Sequence, residues 1–519
     1  MKNKIFIKIR HILSLALVLG IFSSCKKDFL DKSPITELSG NVLSTEQDFT
    51  ALLNAAYDPI QWQVYSGPST HMYPVMFQDI RADNCISQWA SYWTFGAPFD
   101  DLRNIKPNNT NIAAMWRKWY TAIARANTAT EFITKYNGFK TTGLKDRLLA
   151  EAKFVWAFSY FELVKMFGDV PLITTYIGST SDNLKFPRVP KEQVYAQIEK
   201  DLEEAYTLLP ASYANTAEKG RATKGAALTL LAKVELYQKK WSKVKEYTEM
   251  VMGLGYKLET SYASNWSLSN EYGNESIFEV GYVSGFYNNA FESGDAFKNQ
   301  GSSSYQMFGF IFNGTVGGYG NCVPRNNLKN LYQPGDTRKD ATIIDSATVF
   351  PELNNRTAWD LGIQYYQYFW TIPEALQSMA SSRKFLIPAT VSASLTNLGS
   401  DPLNEKVFRY ADVLLMHAEA AIMGAGGDGL GSLNQVIFRA YGNASHNLSS
   451  YTLADVKLQR RLELAIEGYD RFTDLVRWGD AASALAFKHY TVGRDEVLPI
   501  PQGEIDLVGA GILTQNVGY

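Results

Sequence analysis

The densest grouping of side chains suited to holding a ligand is the string DNCISQWASYWTFG, residues 83–96. Trp89, Tyr92, Trp93 and Phe95 fall within seven residues, and Asp79, Arg81, Asp83 and Asn84 stand beside them. Sugar rings present axial C–H faces that pack on indole and phenol rings. Their hydroxyls need directional partners, which Asp, Asn and Arg supply. Exposed rings beside a few polar groups are the composition of a small-molecule site. The competing reading is that these rings pack onto neighbouring elements, which for any single ring is the simpler outcome.

A second set of candidates follows further along: Trp266, Tyr282, Phe286, Tyr287, Tyr305 and Tyr319. YYQYFW, residues 365–370, puts Tyr366, Tyr368 and Trp370 on one side if extended. It reads as a core strand.

Catalytic chemistry finds less support. EGYDRFTDLVRWG carries Glu467, Asp470, Arg471, Asp474 and Arg477, with Glu463 just before it. A glycosidase needs two carboxylates about 5 to 9.5 Å apart, and Glu463 and Glu467 are one helical turn apart if the helix continues. Arginines at helical spacing would pair with them and lower their pKa, whereas a general acid needs one raised. The string reads as a helix junction held by ion pairs. His71, His417, His446 and His489 have no zinc-like spacing, so no metal is expected. There is no nucleophile elbow beside a plausible triad. GTVGGYG, residues 314–320, does not clearly join a strand to a helix, so no phosphate cradle and no cofactor are expected.

The N-terminus sets the location. Lys2, Lys4, Lys8 and Arg10 precede an apolar run from Ile12 to Phe22, and Ser23, Ser24 and Cys25 follow. Eleven helical residues cover about 16 Å, half of a bilayer core, which suits a signal peptide. IFSSC resembles a bacterial lipobox with Cys25 as the lipidated residue; the alternative is an ordinary cleavage site beside a cysteine. This start argues against a cytoplasmic enzyme. No other run of 18 apolar residues occurs, so the expectation is a chain anchored to the membrane and not through it.

The 519 residues include 46% hydrophobic and 20% charged, enough for a substantial core. Removing the four basic residues of the signal leaves 46 basic and 52 acidic residues, a net charge of −6. No basic run interleaves with aromatics, so nucleic acid is excluded as a partner. Beyond Cys25 only Cys85 and Cys322 remain. Exported chains meet oxidising conditions, so one bridge is open to them, but two buried free thiols are expected.

These residues need a scaffold, and the scaffold is helical. In TKGAALTLLAKVELYQKKW, residues Ala227, Leu230, Leu231, Val234 and Trp241 share a helix face. DRLLAEAKFVWAFSYFELVKMFGDVP reads as a helix ended by Gly168 and Pro171. VPKEQVYAQIEKDLEEAYTLLP runs from Pro190 to Pro210, and WSKVKEYTEMVMGLG follows soon after. Paired helices with short connectors stack, so a tetratricopeptide-like array is expected. In VFRYADVLLMHAEAAIMG, residues Val407, Ala411, Leu414, Leu415, Ala418 and Ile422 keep one face. Between these blocks the texture changes. Residues 262–320 hold 14 aromatics where the average predicts about eight, and six glycines lie between Gly301 and Gly320.

Seven segments in order resemble the SusD/RagB-like nutrient-binding outer-membrane lipoproteins of Bacteroidetes: CKKDFLD, WRKWYTAIARANTATEFI, AEAKFVWAFSYFELVKMFGDVPL, GRATKGAALTLLAKVELY, RYADVLLMHAEA, ELAIEGYDRFTDLVRWG and LPIPQGEIDL. The chain ends in QNVGY. Gln459, Val508 and Val517 depart from the family's usual glutamate, asparagine and proline. The resemblance implies a mostly α fold: a tetratricopeptide-like scaffold of helical pairs with a long loop-rich, partly β insert carrying the ligand site. The expected organisation is a signal peptide over 1–24, a lipidated tether over 25–44, helical scaffold over 45–255 and 403–519, and the aromatic insert over 256–402. Asp28, early in that tether, fits surface export. The resemblance also implies lipid attachment at Cys25, display on the outer membrane, and a SusC-like TonB-dependent transporter as partner. The implied ligand is an oligosaccharide, with peptide as the alternative; a surface-anchored glycoside hydrolase is the more distant rival. Together these readings select Trp89, Tyr92, Trp93, Asp79, Arg81, Asp83, Asn84, Tyr282, Tyr287, Tyr305 and Tyr319 as ligand-binding candidates.

Overall fold

The structure is a computed structural model that describes residues 43–61, 73–87, 97–178, 186–284, 320–350 and 401–519, with the shorter pieces 301–302, 304–308, 355–358, 360, 378–388 and 391. Cys25, Asp28, Trp89, Tyr92, Trp93, Phe286, Tyr287, Tyr319 and the YYQYFW string lie outside the described residues. The chain divides into residues 1–48, of which 43–48 are described, and a body from Phe49 to Tyr519.

The body is built on helices: α1 (Glu46–Gln61), α2 (Thr110–Lys135), α3 (Leu144–Phe167), α4 (Lys191–Leu208), α5 (Lys224–Tyr237), α6 (Trp241–Met252), α7 (Tyr410–Ala420), α8 (Gly429–Tyr441), α9 (Leu453–Glu463) and α10 (Arg471–Trp478). Local chemistry sets their ends. The Asn109 side chain accepts from the N–H groups of Asn111 and Ile112 at the start of α2. Thr452 and Asp455 cap α9 reciprocally. Gly168, at φ 72°, stops α3.

Neighbours in sequence are neighbours in space. α2 packs on α3, α3 on α4, α4 on α5, α5 on α6, α6 on α7, and α7 on α8 and α9. This is the expected stack of helical pairs. α5 is its centre, buried from Gly225 to Leu236 on all sides. At Gly225 the Tyr256 ring packs against the backbone, and a Cβ there would lie 2.3 Å from its hydroxyl, so any larger residue would displace that ring. Trp241 does not continue the α5 face; it is the first residue of α6, because the chain turns at Lys239, which has φ 60°.

Strands among the described residues occur only as two-stranded antiparallel pairs. Three matter here. β1 (Cys85–Ser87) pairs with β3 (Cys322–Pro324), β2 (Ser276–Val280) with β6 (Glu405–Arg409), and β4 (Ile343–Asp345) with β5 (Ala380–Ser382). Val407 therefore lies in a strand and not on the α7 face. It sits at a register shift between Lys406 and Phe408. The β2–β6 pair rests on α3: Phe158 meets Phe278 and Phe408 with ring centroids 6.0 Å apart in each case. Each fully buried phenylalanine here is worth about 1.5–3 kcal/mol. No helix among the described residues is long and apolar enough to cross a membrane.

Candidate ligand-binding site

Cys85 and Cys322 are joined by a disulfide, with their Cα atoms 5.6 Å apart. The expectation of two free thiols is corrected: pairing of β1 with β3 brings residues 237 apart in sequence into bonding range. Both cysteines are fully buried. The register sets Ser87 opposite Cys322. In sequence, Trp89 follows Ser87 by two residues and Tyr319 precedes Cys322 by three.

The root of segment 88–96 is closed by charge. The Ser87 N–H donates to Asp100 Oδ2 at 2.7 Å. Asp100 is in turn held by Lys488 Nζ at 3.1 Å and Arg325 at 3.3 Å. Lys488 is fully buried, donates to the carbonyls of Ile80 and Phe99 as well, and is pushed down to about 8 by burial against the opposing pull of Asp100. Arg325 Nε donates to the Cys85 carbonyl at 3.1 Å. Nothing in the local sequence around Trp89 points to Lys488 or Arg325, which come from distant elements.

Two further ties gather the ends of the insert. The Ser378 hydroxyl donates to the Pro324 carbonyl, and Lys329 Nζ donates to the Ser378 carbonyl at 3.0 Å. Ser302 and Asp401 exchange backbone hydrogen bonds of 2.7 and 2.9 Å. The Asp401 carboxylate accepts from the N–H groups of Tyr305 and Leu403, and burial pushes its pKa up to about 8.

The polar candidates near the aromatic string have other duties. Asp79, Arg81, Asp83 and Asn84 are all buried. Asp79 accepts from Asn84 Nδ2 and from the N–H groups of Ile466 and Gly468; burial raises it to about 6 against those bonds. Arg81 donates to the Asp495 and Val497 carbonyls and lies 3.8 Å from the Phe472 ring centroid. Asp83 pairs with Arg471 and Arg461, and Asn84 Oδ1 accepts from Arg461. All four side chains are thus engaged with the protein's own groups and clamp the turn before β1 to distant elements. Tyr282 and Tyr305 are both buried, and the Tyr282 hydroxyl donates to the Gln61 carbonyl at 3.0 Å. Trp266 is half-buried, with Lys384 Nζ 4.3 Å from its ring centroid.

The acidic string is an ion-pair junction. α9 ends at Glu463, so Glu463 and Glu467 do not share a helix. Both still reach Arg409, at 2.9 and 2.6 Å. Glu463 also meets Arg439 and Arg338, and Glu275 meets Arg409 and Arg439. Burial alone would raise Glu463, yet Arg439, Arg409 and Arg338 together hold it down to about 2. A carboxylate so held cannot donate a proton near neutrality. His417 bonds Ser432 Oγ, and no cluster able to hold a metal occurs among the described residues.

Similarity to known proteins follows this architecture. Residues 28–236 match a family described as "Starch-binding associating with outer membrane", and residues 274–492 match the SusD family. A SusD-like protein of Bacteroides ovatus is 26% identical over 502 residues, covering 92% of this chain and 83% of that protein. A solved structure described as a laminarin binding SusD-like protein is 30% identical, with a TM-score of 0.77, covering 92% of this chain and all of that one. Surface glycan-binding protein A from Bacteroides thetaiotaomicron, solved in complex with laminarihexaose, shares the fold at a TM-score of 0.77, with 24% identity and coverage of 91% and 100%. Similar in sequence and fold to a member over that member's whole length, the chain belongs to the SusD family.

Proposed function

We propose that this protein is a surface-exposed lipoprotein that captures an oligosaccharide and passes it to a SusC-like TonB-dependent transporter, without cleaving it. The observation that carries this reading is the shared root of the Trp89 and Tyr319 segments: Ser87 opposite Cys322, beside a disulfide and above Asp100. Trp89, Tyr92, Trp93, Tyr287 and Tyr319 supply flat apolar faces for sugar rings. Rooting two such segments on one cross-linked strand pair reduces the conformational entropy lost when a ligand is held between them. Stacking is individually weak, which suits release to a transporter. The 30% identical laminarin-binding relative supports a glycan as the ligand class. The lipid anchor at Cys25 and the outer-membrane address rest on the lipobox-like IFSSC string and on the family.

The test is calorimetric titration of the full-length protein in detergent with laminarihexaose and a panel of neutral oligosaccharides. Saturable binding without product formation is expected. Replacing Trp89 and Trp93 together by alanine should weaken it by about tenfold or more, from two stacking contacts of about 0.5–1.5 kcal/mol each. Binding of peptides alone, or steady release of shortened sugars, would overturn the reading.

A further inference from the structure

Downstream of β3 the chain forms an open cleft of about 620 Å³, lined by Lys329, Asn330, Gln333, Asp336, Lys339 and Asp340 among others. That volume is in the range of small-molecule sites. None of the ligand-binding candidates lines the cleft as described, and Lys329, on its wall, is tied through Ser378 to Pro324 in β3.

Its chemistry can be read by asking which groups are already engaged. Asp336 is gripped by Arg338 through Nε at 2.9 Å and a second nitrogen at 2.7 Å. Asp345 is paired with Lys339 at 3.1 Å. Thr337 Oγ1 donates to the Ala440 carbonyl. The side chains of Asn330 and Asp340 bond to no other described residue, and Gln333 makes one long contact of 3.4 Å to the Leu331 carbonyl. Lys329 gives one hydrogen bond to Ser378, and an ammonium carries three donors. The groups left to face a ligand are therefore the Asp340 carboxylate, the Lys329 ammonium, the spare donors of the Asp345-paired Lys339 and two amides. Their formal charges cancel, which disfavours a strongly anionic or cationic ligand. Tyr332 in the lining is buried, so among the described residues the cleft presents no exposed ring for stacking. Acceptors and donors lining one cleft without net charge match the alternating donor and acceptor character of neighbouring hydroxyls.

We infer that this cleft is a second binding position, one that holds a neutral hydroxyl-rich segment by hydrogen bonds instead of stacking. The inference rests on the proposed function, because a glycan chain held at the aromatic segments is the ligand that would supply such a segment. The cleft would then add affinity for long chains more than for short ones, through a second contact on the same molecule.

The experiment titrates the full-length protein with laminarihexaose and with the neutral panel, comparing Asp340→Ala and Asn330→Ala. Both sites are on the surface of the cleft, and a thermal melt checks that each variant is folded. The expected result is about fivefold weaker binding of the longest bound oligosaccharide for each variant, the size of one lost hydrogen bond, with little change for the disaccharide. Unchanged affinity for long chains in both variants removes the second position while leaving the proposed function standing. Failure of the wild-type protein to bind any neutral oligosaccharide removes both. Equal weakening for disaccharide and long chain also removes the second position, since it would make the cleft part of the first.

Discussion

Arg471 holds Asp83 with two hydrogen bonds, from Nε to Oδ1 at 2.7 Å and from NH2 to Oδ2 at 2.8 Å. The pair links the turn before β1 to the first residue of α10, 388 positions later. Burial would raise Asp83, but Arg471 and Arg461 hold it below its ordinary value. Asp83→Ala should lower unfolding stability by about 3 kcal/mol, the lower end for removing one partner of a buried pair. Chemical denaturation measures this, and a double-mutant cycle with Arg471→Ala should show strong coupling. Additive losses would mean that the pair is not a unit.

The Asp83 result shows where the sequence is legible and where it is not. Helix existence was readable because burial imposes a period: the ends of α3 and α4 follow Gly168 and the prolines at 190 and 210. The mostly helical class followed from the same signal. What could not be read was pairing at long range. Asp79, Arg81, Asp83 and Asn84 have the composition of a sugar site, and only their partners on Ile466, Asp495, Arg471 and Arg461 show that they are engaged inside the protein. Val407 was misplaced for a related reason. Its apolar spacing suits a helix, yet β6 exists only because β2 lies beside it. The disulfide likewise depends on a strand pairing that neither cysteine's neighbours announce.

The cross-link gives a second prediction. A disulfide closing a loop of 237 residues constrains the unfolded chain strongly, and loss of a native one typically costs 2–5 kcal/mol. Replacing Cys85 and Cys322 together by serine should lower the denaturation midpoint by an amount in that range. The single variants should fall at least as far, because each leaves a buried thiol beside a new hydroxyl. A double variant as stable as wild type would show that the bond does not stabilise the fold.

Glu463 predicts acid sensitivity. Its folded pKa, about 2, lies below the ordinary glutamate value near 4.3. For a depressed carboxyl the stabilisation is present above the unfolded pKa and is lost as pH falls through the folded one. The loss therefore falls between about pH 4.5 and 2, and amounts to roughly 3 kcal/mol. Glu463→Gln should be less stable at pH 7 and show a flatter decline over that window. Thermal melts from pH 7 to 2 would show it, and parallel curves for the two proteins would contradict it.

Asp401 predicts the opposite slope. Burial raises its pKa to about 8, with Glu271 pushing the same way and the N–H groups of Leu403 and Tyr305 and the Ser302 hydroxyl opposing. A raised carboxyl stabilises the fold fully below its unfolded pKa near 3.9, and that stabilisation is lost as pH rises through the folded value. Wild-type stability should therefore carry a component that declines from about pH 4 to 8. Asp401→Asn is neutral throughout and keeps an acceptor for one of the two N–H groups, so this component should vanish from its profile. The readout is the difference between the two proteins' denaturation free energies at each pH: it should shift steadily toward the variant as pH rises. Because the Tyr305 and Leu403 N–H groups donate to this carboxyl, the same titration should be visible as a shift of their amide resonances on the alkaline side. Amide resonances that stay constant across pH 6 to 9 would mean that Asp401 does not titrate where its burial places it.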